Sequence, residues 1–303
     1  MAEVLSVLLK LTLVVFMVGN LLDMGLRLKL DEALAGLRNV RFVAFSLLWG
    51  FVLCPALAIV LAKVLPIAHP YAIGLILLGM APCAPFLPPM VERARGDMGY
   101  TAAFMLLASA VIVVYMPFTV PVMVKGLSAN AWTIAKPLLF FVLAPLAVGF
   151  AIQHRSAPVA SKLHPPVKKV TGIDTILMLL LCLILYGKEF IGMAGSYAIG
   201  AQILFFSAAT ASPYFLSFGL PQDQRSVIAL GMVTRNLGAA LAPLFAIHNI
   251  DQRAIAMVAL GVLMQAIFSF LAATWFGRRA AAGAAGGAAG GAPSAARDLE
   301  KHP

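Results

Sequence analysis

Nine runs of about 20 predominantly apolar residues, separated by short polar connectors, leave this chain few ways to fold. All but the sixth are long enough to cross the ~30 Å hydrocarbon core of a bilayer as a helix. Hydrocarbon offers backbone amides no partner outside the segment, so such runs must be helical. They cover about Leu5–Leu26, Phe42–Val64, Pro70–Val91, Gly99–Val124, Trp132–Ile152, Ile173–Leu185, Ala194–Phe218, Val227–Ile247 and Ile255–Phe276. The sixth is short, with fraying ends. Across 303 residues the chain is 62% hydrophobic and 11% charged, against about a quarter charged in a soluble domain. The expected fold class is all-α, integral membrane, with about nine transmembrane helices.

The net charge of +10 would point to nucleic acid in a soluble protein. Here the basic residues gather in alternate connectors and set topology instead. Arg27, Lys29, Arg38 and Arg41 follow the first run, and Arg93 and Arg95 follow the third. Arg155, Lys162, Lys168 and Lys169 follow the fifth, Arg225 precedes the eighth, and Arg278 and Arg279 follow the ninth. The positive-inside rule then puts the C-terminus in the cytoplasm and the N-terminus outside a bacterial inner membrane. The N-terminal run is too long for a signal-peptide core, so no cleaved leader is expected. Residues 1–279 form the expected transmembrane domain, and the Gly/Ala-rich segment 280–303 is expected to be a disordered cytoplasmic tail. Cys54, Cys83 and Cys182 all lie in apolar runs without CxxC spacing, so no disulfide, metal site or cofactor is expected.

Two runs are unsuited to an unbroken helix. The third contains Pro82, Pro85, Pro88 and Pro89, which remove amide donors and clash with carbonyls one turn back. The eighth sets Thr234, Arg235 and Asn236 side by side between Gly231 and Gly238. Irregular backbone at membrane depth is tolerated inside protein or along a watery cavity. One broken helix in each half of the chain is how inverted-repeat transporters build a midplane site. The string Leu-Gly-Met precedes both disruptions, at Leu78–Met80 and Leu230–Met232.

Arg235 is the leading candidate, because a charge near the bilayer centre faces a partner or a cavity. The competing structural reading is that it snorkels or pairs with carbonyls freed by the break. The candidate substrate-contacting set is Arg235, Asn236, Thr234, Cys83, Pro82, Pro85, Pro88, Thr101 and Gln265. Asn236 and Thr234 read equally well as interhelical hydrogen-bonding groups, and Cys83 as a small packing residue. Asp23 pairs with Arg27 across one turn in this reading.

These two segments resemble the bile acid:sodium symporter family, with similarity from about Leu11 to Trp275. Its strongest part is Gly74–Asp97, where Pro82, Ala94, Arg95, Gly96 and Asp97 fit the frame of the family's first crossing helix. Val233–Ala242 resembles the second, with Asn236 on the motif's Asn. The resemblance implies core and panel domains, with substrate beside the crossing of two broken helices. Nine spans rather than ten would fit loss of the first helix. Sodium-coupled members carry a Ser-Asn pair where this chain has Leu87-Pro88. They also carry a carboxylate four residues before a Gln, where this chain has Gly231 and Arg235. Sodium needs hard oxygen ligands, so these departures imply an organic-anion carrier not coupled to sodium in the usual way. Arg235 would stand in for the ion.

An arsenite-type efflux permease using Cys83 is a second reading, because a related family carries Cys after Pro in its first broken helix. A membrane solute sensor without transport is a third. An intramembrane enzyme is disfavoured by the lack of HExxH or facing aspartate pairs.

Overall fold

A computed structural model describes residues 2–124, 130–245 and 251–290. Every regular element in them is a helix. In chain order these are α1 (Ala2–Arg27), α2 (Leu30–Leu37), α3 (Val40–Val64), α4 (His69–Met80), α5 (Leu87–Arg93) and α6 (Met98–Met123). There follow α7 (Ala131–Arg155), α8 (Ala157–Met193), α9 (Ala198–Leu216), α10 (Gln222–Val233), α11 (Leu237–Phe245) and α12 (Gln252–Gly290). Seven of them, α1, α3, α6, α7, α8, α9 and α12, are long and apolar enough to cross a membrane.

Among the described residues seven of the nine expected runs are continuous helices of spanning length, and the count of nine crossings remains an expectation. The third and eighth runs are helix pairs, α4 with α5 and α10 with α11, interrupted at 81–86 and 234–236. The end of the eighth run, residues 246–247, lies outside the described residues. The sixth run is longer than its apolar stretch: α8 has 37 residues and takes in the basic segment expected as a connector. Proline in its first turn fits a helix start, where the missing amide has no role. His164 Nε2 lies 3.2 Å from Asp23 Oδ1 and ties that segment to α1. At the other end α12 continues to Gly290, so residues 280–290 extend the last helix instead of leaving it as coil. Alanine's helix propensity accounts for the continuation. Residues 291–303 lie outside the described residues.

Two helices carry a wide π turn, at Trp49–Leu53 in α3 and Leu139–Leu143 in α7. Each is followed within two residues by a proline, Pro55 or Pro145, in the shared string Phe-Val-Leu-x-Pro. Proline cannot donate to the carbonyl one turn back, and the wider turn relieves the clash.

Helices α1, α7 and α8 pack mainly on one another, while α4, α9, α10 and α12 form a second group. Lipid gives no hydrophobic drive between helices, so close backbone approach matters more here than in water. Gly25 of α1 and Gly149 of α7 supply it: a Cβ on either would lie 2.8 Å from the other's Cα. Helix α4 is buried along almost its whole length, against α3 and α12.

Candidate functional site

A broken helix exposes the last carbonyls of one half and the first amides of the next, and hydrocarbon cannot satisfy them. The two breaks solve this for each other. Pro82 and Arg235 form a single antiparallel β-bridge. The Cys83 amide donates to Thr234 O at 2.8 Å and to Gly231 O at 3.0 Å. The Asn236 amide donates to Ala81 O at 2.9 Å. The prolines that break the first helix lack donors, so the pairing runs through the amides that remain. Cys83 adopts φ +72°, a left-handed conformation uncommon for a residue with a side chain. Its doubly used amide holds it there.

Arg235 is fully buried at this crossing. Its Nη1 donates to Gly79 O at 3.3 Å, near the C-terminal end of α4. Its Cζ lies 4.9 Å from the centroid of the Phe205 ring on α9. Nε and Nη2 are buried and without a partner. Among the described residues no carboxylate forms an ion pair with it. One guanidinium nitrogen thus does what the structural reading expected, and two do not. The peptide N–H of Arg235 donates to Gln265 Oε1 from α12, which brings that candidate to the crossing.

The other candidates have local work. Thr234 Oγ1 donates to Leu230 O, in the last turn of α10, at 2.8 Å. Asn236 Oδ1 accepts from the Ala239 amide at 3.0 Å and so caps α11. Both side chains therefore serve their own helix ends. Thr101 Oγ1 donates to Asp97 O at 2.7 Å in the first turn of α6, and among the described residues no side-chain hydrogen bond ties it to the crossing. Pro82 and Cys83 are buried in the break; Pro88 is buried in the first turn of α5, and Pro85 is half-buried. The Cys83 thiol is closed off from the surface, 4% exposed and 4.0 Å from Ala84 O.

Sequence reasoning missed Phe104. A side chain on Gly231 would overlap its ring, so the ring fills the space beside that glycine. The resemblance places a carboxylate of sodium-coupled members there. Phenylalanine in an apolar helix gives no sequence signal, and only the close approach of α6 to α10 reveals the role.

Two large clefts among the described residues open away from Arg235. A cleft of about 380 Å³ beside α11 is lined by Lys10, Met17, Phe141 and Ala242, among others. A groove of about 400 Å³ lies between α8, α9 and α12. Arg235 lines neither, and the crossing is closed in this conformation.

The sequence model described as the Sodium Bile acid symporter family matches residues 12–193, more than half of the chain. The matched part contains the first break and ends before the second. No curated protein matches.

Proposed function

The chain belongs to the Sodium Bile acid symporter family, and from that premise we propose that it carries a small organic anion across the inner membrane by alternating access, without sodium at the crossing. The coarser part of this reading, membrane transport, follows from the family and the apolar helices. The anion and the coupling rest on one observation: a fully buried guanidinium with two unpartnered nitrogens and, among the described residues, no carboxylate within ion-pair distance.

An uncompensated buried charge is unfavourable by several kcal/mol. In the closed state the α4 carbonyl end and the Phe205 face offset part of that, through the helix dipole and the ring quadrupole. Nε and Nη2 project as one edge of a planar fork, the geometry that takes a carboxylate bidentately. An entering organic anion would complete the charge balance that sodium supplies elsewhere in the family. Two features argue against sodium. The Phe104 ring occupies the space beside Gly231, and the Gly231 carbonyl already accepts from Cys83. Outward and inward opening would then be movement of α1, α7 and α8 against the group that carries the crossing, the panel and core of the resemblance.

The test is uptake of an organic-acid pool into proteoliposomes, with and without a sodium gradient. Wild type is expected to ignore sodium, and Arg235→Gln to lose uptake at least tenfold. Loss of one charge-assisted bidentate contact, about 1.5–3 kcal/mol, corresponds to that factor or more.

A further inference from the structure

Helix α8 carries a carboxyl at membrane depth that the crossing does not use. Thr171, Asp174, Met178 and Cys182 recur at three- and four-residue spacing and belong to the buried face of α8. Two contacts set the register of that face against α1, which runs the other way. His164 lies opposite Asp23, and the Thr171 methyl fills the notch at Gly19, where a Cβ would overlap it. The next turn of α8 therefore brings Asp174 level with the middle of the apolar run Leu5–Leu26. Met17, on the opposite face of α1 from Gly19, packs on Gly238, which places the first turn of α11 at about the same depth.

Asp174 is 8% exposed, and its Oδ2 is buried without a hydrogen-bond partner. Among the described residues no cation forms an ion pair with it. Along the helices packed on α8 the charges keep to the ends. None lies between Lys10 and Asp23 of α1, Lys136 and His154 of α7, or Arg253 and Arg278 of α12. Asp23 itself has His164 beside it. On α8, Asp174 is the one charged residue between Lys169 and Lys188, with Cys182 and Tyr186 the other titratable groups. Hydrocarbon does not support a lone carboxylate, which must meet a cation or take a proton.

We propose that Asp174 is a proton-binding site and that the coupling ion of this carrier is a proton. The inference rests on the anion-carrier reading above. The Asp174 carboxylate takes one proton from the outer side, and the resulting carboxylic acid releases it to the inner side. One proton moved with one monoanion carries no net charge across the bilayer. Protonation alters the contact of α8 with α1, and α1 passes that change to α11 through Met17 and Gly238.

Uptake of labelled mono- and dicarboxylates into proteoliposomes would be compared with and without an inside-alkaline pH gradient, empty vesicles giving the passive background. One coupled proton per monoanion supports up to about tenfold accumulation for a gradient of about one pH unit, and wild type is expected to approach it. Asp174→Asn should lose the response to the gradient and Asp174→Glu should keep one. Asp251→Asn, in an exposed pair, should match wild type. In purified protein, infrared difference spectra across a pH titration should show a carboxylic acid band that Asp174→Glu shifts and Asp174→Asn removes. Wild-type uptake that ignores the pH gradient, or a full response in Asp174→Asn, would overturn the proposal and leave the carrier reading standing. No uptake under either condition would overturn the carrier reading and the proposal with it. A band that Asp174→Glu leaves in place would overturn the proposal even where Asp174→Asn fails to fold.

Discussion

Arg235 can be replaced by a residue that keeps its charge but loses its fork. Arg235→Lys preserves a cation over Phe205, yet a lysine ammonium cannot present two parallel N–H groups to a carboxylate. Uptake in that variant is expected to fall about tenfold, with a raised KM, and to remain above that of Arg235→Gln. Equal uptake by Lys and Arg would mean that a point charge suffices. Gly231 offers a separate test of packing. Gly231→Ala places a methyl against the Phe104 ring, and such overpacking destabilises by about 1–3 kcal/mol. Thermal unfolding in detergent should show the loss, and a second change, Phe104→Leu, should recover part of it. At this scale Arg235 and Gln265 stood out in the sequence as polar groups in apolar runs, and the structure brings both to the crossing, where contact with substrate remains the proposal. The sequence did not disclose that the side chains of Thr234 and Asn236 serve their own helix ends, since that depends on where the backbone stops being helical.

Two unwound segments survive in this bundle because each satisfies the other. Asn236 acts twice, through its amide on Ala81 O and its side chain on the Ala239 amide. Asn236→Ala removes a buried cap and leaves a donor without a partner, which destabilises by about 1–3 kcal/mol. Asn236→Asp keeps the cap and should be the milder of the two in the same unfolding assay. Comparable losses would show that the cap is not what fixes α11. The breaks themselves were readable from four prolines in one run and Thr-Arg-Asn in another. The π turns were readable only in hindsight, from Phe-Val-Leu-x-Pro at 51–55 and 141–145. The length of α8 was hidden by Pro165, Pro166 and four basic or histidine side chains, which look like a connector until packing on α1 is known.

Charge bias predicts a polarity for the bundle as a whole: basic connectors inward, N-terminus outward. Fusion of a reporter active only in the cytoplasm after Arg279 should give signal, and the same reporter ahead of Ala2 should give none. The reverse pattern would place the basic connectors on the outer face and overturn that prediction. All-helical membrane architecture was legible from hydropathy, because lipid admits few other solutions. Which runs are continuous and which are helix pairs was legible only where prolines or Thr-Arg-Asn interrupt them, since a broken helix and a continuous one have similar composition. The central claim is that a guanidinium does at this crossing what sodium does elsewhere in the family. Uptake of an organic-acid pool by proteoliposomes, with and without a sodium gradient, in wild type and Arg235→Gln, tests it most directly. The account predicts wild-type uptake indifferent to sodium and at least tenfold loss in the variant. Sodium-stimulated uptake in both proteins would contradict it and leave Arg235 as a structural clamp on the Gly79 carbonyl.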